Sequence, residues 1–517
     1  MGQHSEYVPK RTRQIGDEPG PNIAEGKDGQ AYPENLPLPA YLRRQLDPEP
    51  PPRRWVNGLV VASGIFTGLV VASVVIGAAM VVAVTDTPKW SGALGVGKNF
   101  VDSILRRGDN SSPPVQHAAR QPALQVVAAG GTTATTRTAA LEPTPAVQGV
   151  TDSEIQLGIS APFSGPAKEL GSQMKLGIET AFAAANDAGG IDGRQVKLIA
   201  ADDGYEPRRT ADTMRQLYEK QKVLGFIGNV GTPTAEVALP YALEHHALFF
   251  GAFTGANLLR RDPPDRYVFN YRASYAEETN AAVRYLVRVR HLRPEQIAVF
   301  AQHDAFGDAG FDGVAKAIRA LDGDDQAILR LNYERNTVNV DDAVARLRAH
   351  KGAIKAVVMV AVYRPAAHFV EKTHDLYPGM IYTNVSFVGS TALADELMLL
   401  GPRFASSVIV TQVVPAIDSY ASAILKYKAA LAKYQGDAPD YVSFEGYIDG
   451  SLFLEGLRRA GPQPNTEKLV DGLESMRNFD MGLGTLINFG ASEHQGSHKV
   501  WGTQLNSQGH YEPIDLH

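Results

Sequence analysis

An α/β fold of two doubly wound parallel-sheet lobes, preceded by one N-terminal transmembrane helix, is what this 517-residue sequence predicts. Three observations carry that expectation. From residue 151 onward, short apolar runs of strand length alternate with longer segments of helical spacing. The alternation passes through two successive series, and the stretch from 151 to 517 is long for one sheet. Ahead of it, the uncharged run from Trp55 to Thr85 exceeds the roughly 20 apolar residues that cross a bilayer as a helix.

Residues 1–54 are rich in Pro, Gly and charge, with Leu36-Pro-Leu-Pro-Ala40 and Pro48-Glu-Pro-Pro-Pro52. Such a stretch cannot bury a core. It reads either as a disordered Pro-rich cytoplasmic tail or as a docking peptide for a cytoplasmic partner. The span at 55–85 reads as an uncleaved signal anchor: a long polar segment precedes it, and Ala83-Val-Thr-Asp86 is a poor cleavage site. Arg43, Arg44, Arg53 and Arg54 lie close before it, and only Lys89 and Lys98 follow closely. The N-terminus is therefore expected in the cytoplasm, with a single pass of the cytoplasmic membrane and an extracytoplasmic C-terminal domain. Trp55 and Trp90 would sit at the two interfaces.

The chain has no cysteine, which excludes disulfides, thiolate metal sites, a cysteine nucleophile and a lipid-modified N-terminal cysteine. The span then has to do the anchoring alone. A net charge of -6 offers no basic face for nucleic acid. Residues 86–149, poor in aromatics and dense in Ala, Thr, Gln and Pro, read as a flexible linker. Within them Gly92-Ala-Leu-Gly-Val-Gly-Lys98 approaches a phosphate-binding loop. Asn99, however, stands where a Ser or Thr would hold magnesium, and no buried strand precedes the segment.

Strand-length runs follow at Ile155–Ser160, Gln195–Ala201, Leu224–Gly228 and Leu248–Gly251, with helical spacing at Met174, Ile178, Ala181, Phe182 and Ala185. Ser274-Tyr-Ala-Glu277 is a capping box that opens a further helix. A second series runs through Gln296–Ala301, Lys355–Val360 and Met380–Val385. Strands alternating with helices imply parallel sheets covered on both faces. No catalytic constellation has good spacing: there is no nucleophile elbow, no zinc-protease helix and no dinucleotide-binding glycine pattern. An enzyme is therefore not expected, nor any cofactor. Of the 13 histidines, His494 and His498 could share a metal, but a third ligand is missing and a surface turn explains them as well.

The opening IQLGISAPFSGPAKELGSQMKLGIETAFAAANDAGGIDGRQVKLIAADDGYEP resembles type I periplasmic solute-binding proteins of the branched-chain amino-acid and amide group, the Leu/Ile/Val-binding-like family. The likeness rests on Pro162-Phe-Ser-Gly-Pro166, Asn186-Asp-Ala-Gly-Gly-Ile-Asp-Gly-Arg194, Asp202-Asp203 and Pro207. It continues through Gly225-Phe-Ile-Gly228, Gln302-His-Asp-Ala-Phe-Gly307 and Phe444-Glu-Gly-Tyr447. The resemblance implies a Venus flytrap of two lobes joined by three crossings, near Tyr271–Ala273, Val410–Val413 and Val500–Thr503. Lobe 1 would hold about 151–271 and 412–499, and lobe 2 about 272–411 and 500–517, within a binding domain at 150–517.

Ligands of open parallel sheets collect beyond the carboxyl ends of strands, where helix N-termini suit a carboxylate. Gly231-Thr-Pro-Thr234 fits that description, with Thr232 as N-cap and Pro233 at the first helical position. The amides of Thr234 and Ala235 would then point into the cleft; the other reading is a plain capped helix. By resemblance Thr232 holds a ligand carboxylate, and Phe253 and Thr254 match backbone and hydroxyl contacts. Phe306, Tyr363 and Leu170 match positions packed on the ligand, though each fits ordinary core equally well. Ser386 stands where amino-acid binders carry the acid that pairs with the ligand ammonium. Either another acid such as Asp304 substitutes, or the ligand lacks a free amine.

The expectation is a membrane-anchored extracytoplasmic solute-binding protein. It would capture a small carboxylate, such as an amino acid or aromatic acid, between two closing lobes for an ABC-type permease. The alternative is a ligand-sensing or scaffold receptor that reuses the fold without a permease, which the long N-terminal segment favours.

Overall fold

The computed structural model describes residues 146–406 and 408–517, together with a short antiparallel pair at Ile23–Glu25 and Ala31–Pro33. The expected span at 55–85, the phosphate-loop-like segment, nearly all of the linker and the rest of the tail lie outside the described residues. Among those described, no helix is long and apolar enough to cross a membrane.

One sheet is a 5-stranded parallel array. β1 (Glu154–Ala161) lies between β2 (Gln195–Asp202) and β3 (Gly225–Ile227), and β4 (Leu248–Phe250) and β5 (Val268–Phe269) continue beyond β3. β3 and β4 are buried along their whole length, as parallel strands covered on both faces must be. The helix Lys168–Asp187 turns Leu170, Met174, Ile178, Ala181 and Phe182 inward, the face that its spacing predicts. It packs along the helix Tyr441–Ala460. Their backbones come so close that a Cβ on Gly177 would lie 1.8 Å from the Ser443 carbonyl oxygen, and one on Gly446 2.4 Å from that of Met174. Only hydrogen side chains allow this approach.

The other sheet is 7-stranded. It comprises β6 (Ile297–Gln302), β7 (Arg330–Tyr333), β8 (Ala356–Val360), β9 (Ile381–Asn384), β10 (Val408–Gln412), β11 (Trp501–Leu505) and β12 (Tyr511–Ile514), in the spatial order β7-β6-β8-β9-β10-β11-β12. The first five are parallel, and β11 and β12 close the edge antiparallel. The helix Tyr275–Arg284 opens with the capping box that the sequence predicts: Ser274 Oγ accepts from the Glu277 amide, and the Glu277 carboxylate accepts from the Ser274 amide.

The chain passes between the sheets three times: after β5, after β10 and before β11. The first and third passages run side by side, Gly496 and Ser497 donating their amides to the carbonyls of Asn270 and Tyr271 at 2.7 and 2.9 Å. The second is tied to the first by the hydroxyl of Tyr271, which donates to the Val413 carbonyl. β10 and β11 both belong to the larger sheet, so the second passage begins after Gln412 and the third ends before Trp501.

Candidate functional site

The exits of β3 and β4 place two threonines side by side. Thr232 Oγ1 and Thr254 Oγ1 lie 2.7 Å apart, both fully buried. The local geometry differs from the N-cap expected of Thr232. Gly231 is the cap, at φ 107°, and Thr232 is the first helical residue. A side chain on Gly231 would strike the Tyr205 ring at 2.3 Å, so a glycine is required twice over, by backbone angle and by space. The shift of one residue also changes which amides are open. Ala235 donates to the Gly231 carbonyl and is spent inside the helix, which leaves Thr232 and Thr234 at its open end. The Thr234 hydroxyl turns back to the Val230 and Gly231 carbonyls.

Facing these threonines is a cluster of rings drawn from both lobes. Phe253 follows β4 in the first lobe, and Phe306 lies at the start of the helix Ala305–Arg319 in the second. Between them sits Phe387, on the turn Ser386–Val388 after β9, a residue that the sequence reading did not single out. Its ring stacks on Phe253 with centroids 5.1 Å apart, lies 4.6 Å from Phe306 and meets Tyr275 edge-on at 6.3 Å. Tyr205, from the loop after β2, closes the group at 6.2 Å. The available signal was position: Phe387, like Phe253 and Phe306, follows a strand exit. Leu170 and Tyr363 meet beside Gly389, where an added Cβ would touch Leu170 Cδ2 at 2.7 Å and Tyr363 Cδ1 at 3.7 Å. All seven sequence-predicted positions thus gather where the lobes meet.

Ser386 is engaged within the protein. Its amide and hydroxyl donate to the Glu278 carboxylate at 2.7 and 3.0 Å, and Glu278 also accepts from Thr411 Oγ1. The Ser386 hydroxyl in turn accepts from Arg272, which lies on the first passage between the lobes. The guanidinium of Arg272 sits 3.5 Å from Glu278, 3.6 Å from Glu445 and 4.6 Å from the centroid of Phe253, over its face. A buried acid therefore stands beside Ser386, and it is Glu278 rather than Asp304, the candidate raised from the sequence. Asp304 caps its own helix through the Phe306 amide and accepts from Gln302 and Arg335.

Burial dominates the electrostatics. It pushes Glu278 up, against the pull of Arg272 and of the hydrogen bonds from Thr411 and Ser386. Burial also raises Glu445 to about 7, Arg272 opposing and Glu278 adding to the shift. Asp449, whose two oxygens have no hydrogen-bond partner, is raised well above the usual carboxylate range by burial and by Glu445. Asp202 behaves oppositely. Burial pushes it up, but donors from Ser164, Phe163, Gly204 and Arg209 hold it at about 2. Its neighbour Asp203 is buried deeper and rises to about 6, despite bonds from Tyr205, Ser160 and Thr210.

The rim is latched by polar pairs. Arg335 reaches Glu206 at 3.2 Å and Asp304 at 2.9 Å, Asn336 donates to the Gly204 carbonyl and to Glu206, and Gln302 donates to the Tyr205 hydroxyl. A cavity of about 580 Å³ lies elsewhere, beside the first and third passages, among Arg260, Ser274, Glu277, Lys316, Gln495 and His498. His494 and His498 face different partners. His494 stacks on Phe269 at 3.7 Å, and His498 pairs with Glu277 at 2.7 Å. Among the described residues no group of three metal-binding side chains occurs.

Residues 154–510 match the family model described as periplasmic binding protein. Leu/Ile/Val-binding protein homolog 3 of Brucella melitensis is 24% identical over 339 residues, covering 64% of this chain and 86% of its own. A crystal structure of a possible leucine/isoleucine/valine-binding protein from Rhodopirellula baltica superimposes with a TM-score of 0.67 at 38% identity, over 72% of this chain and 99% of that one. A branched-chain amino acid ABC transporter structure from Thermus thermophilus with bound valine shares the fold, at 20% identity and a TM-score of 0.61, over 70% of this chain and 96% of that one.

Proposed function

The chain belongs to the periplasmic binding protein family, and we propose that it is a solute-binding protein of the branched-chain amino-acid transporter type, taking a small carboxylate between its lobes. The observation that carries this reading is the Thr232–Thr254 hydroxyl pair at the open end of a helix, opposite rings contributed by both lobes. Open amides and the positive end of the helix dipole favour a carboxylate, and the rings favour an apolar remainder. The names of its relatives, Leu/Ile/Val-binding proteins and a branched-chain amino acid ABC transporter, support a small carboxylate with an apolar remainder and a partner permease of the ABC type. The apolar run at 55–85 supports a tether that holds the domain outside the cytoplasm, at high effective concentration near such a permease. Closure on a solute requires only that the solute bind the shut form better than the open one.

A thermal-shift series with valine, leucine, isoleucine and aromatic or aliphatic carboxylates tests the reading. A ligand present at 100 times its Kd stabilises by about 2.7 kcal/mol, which is easily seen. Silence across the whole series would count against it. The receptor or scaffold reading is favoured by one observation: the side chains expected to grip a ligand are already packed on each other. In that reading no permease copurifies with the protein, and the N-terminal segment captures a cytoplasmic partner.

A further inference from the structure

The residues expected to hold a solute are covered by the protein itself. Leu170, Thr254, Phe306 and Phe387 have no exposed surface, Thr232, Phe253 and Tyr363 have 1%, and Ser386 has 7%. The Phe387 ring lies where an apolar group would be gripped, between Phe253 of one lobe and Phe306 of the other. The Arg272 guanidinium lies where an ammonium would be neutralised, between Glu278 and Glu445.

We propose that Phe387 and Arg272 are the specificity-determining residues of this cleft: they supply the ring and the cation that an amino acid would bring, so the lobes shut without a solute. A ligand enters only by displacing Phe387, and it must be a carboxylate with no α-ammonium. This rests on the solute-binding reading and deepens it. Glu278, the acid beside Ser386 where an ammonium would be met, already holds Ser386 and Thr411 with its two oxygens. Nε and Nη1 of Arg272 make no hydrogen bond, Nη1 lying 3.6 Å from Glu445, and such buried donors suit an anion. The rim latch of Arg335 and Asn336 on Glu206 and Gly204 gives the shut form contacts that owe nothing to a ligand. A solute shifts the balance between open and shut only by its preference for one of them, and here side chains of the chain itself supply that preference.

The chain has no cysteine of its own, so spin labels can be placed at will. Labels on Arg208→Cys and Val338→Cys, both exposed and on opposite lobes, report opening in the full-length protein. With no added solute, the expected result is one short distance. Phe387→Ala should lengthen it. Phenylacetate, which carries the same benzyl group plus a carboxylate, should shorten it again and bind the variant at least tenfold tighter than it binds the original protein. Leucine should do neither. Phe387→Leu, which keeps the core filled, should fall between the two. A long distance in the original protein that leucine shortens overturns the proposal, as does a Phe387→Ala protein that stays shut. If the distances behave as stated but no carboxylate binds either form, the solute-binding reading fails while the self-filled cleft stands.

Discussion

The hydroxyl of Tyr271 donates to the carbonyl oxygen of Val413 across 2.8 Å, while its own carbonyl accepts from the Ser497 amide at 2.9 Å. One residue thereby fastens all three passages between the lobes. Tyr271→Phe removes the first bond and leaves a buried carbonyl short of a partner, a loss of about 1–3 kcal/mol. Urea unfolding should show that loss, and the distance between labels at positions 208 and 338 should broaden. An unchanged midpoint and an unchanged distance distribution would show that the bond constrains nothing.

Thr232→Val keeps the volume but deletes one hydroxyl of the pair with Thr254. Where a carboxylate leans on that hydroxyl, its loss weakens binding by about 1–3 kcal/mol. Calorimetry with the carboxylate that most stabilises the protein measures this directly. Equal affinity in the two proteins removes Thr232 from the ligand site.

Stability should fall as pH rises from about 5 to 8. Glu445, ordinarily near 4.5, keeps its proton in the folded protein up to about 7. The unfolded chain loses that proton earlier, so the contribution is complete below about 4.5 and gone once pH has risen through 7. Asp203, held at about 6, acts in the same direction. Asp202 and Glu277, held at about 2, act in the opposite one: they add stability above their ordinary values, and it is lost as pH falls through 2. Melting temperatures across this range should therefore be highest near pH 5, and Glu445→Gln should flatten the alkaline side. A variant with the same slope as the original protein would falsify the assignment to Glu445.

Gly177→Ala drives a methyl group into the Ser443 carbonyl, where the helices Lys168–Asp187 and Tyr441–Ala460 touch. Overpacking of this kind costs about 1–3 kcal/mol, more than any gain in helix propensity. A fall in melting temperature of several degrees is expected. A neutral or stabilising result would mean that the helices separate freely.

The repeating α/β architecture was legible because each part is local. The runs at Gln296–Ala301 and Lys355–Val360 announce buried parallel strands, and the Ser274–Glu277 box announces a helix start. Thr232 and Thr254 were legible for the same reason, as polar residues at strand exits. Gly231 was misjudged by one place because the helix start depends on a positive φ that composition does not reveal. Phe387, Arg272 and Glu278 were invisible as a unit. Arg272 meets Ser386 across 114 residues, and Glu278 meets Thr411 across 133, so no local pattern connects them. Asp304 was a reasonable substitute acid by type, but its own helix had already claimed it.

The second passage between the lobes carries Tyr420, whose side chain is 89% exposed. Downstream of it, the helix Tyr441–Ala460 lies against Lys168–Asp187, and β11 pairs with β10. A protease that nicks the backbone at Tyr420 therefore severs the chain without releasing either piece.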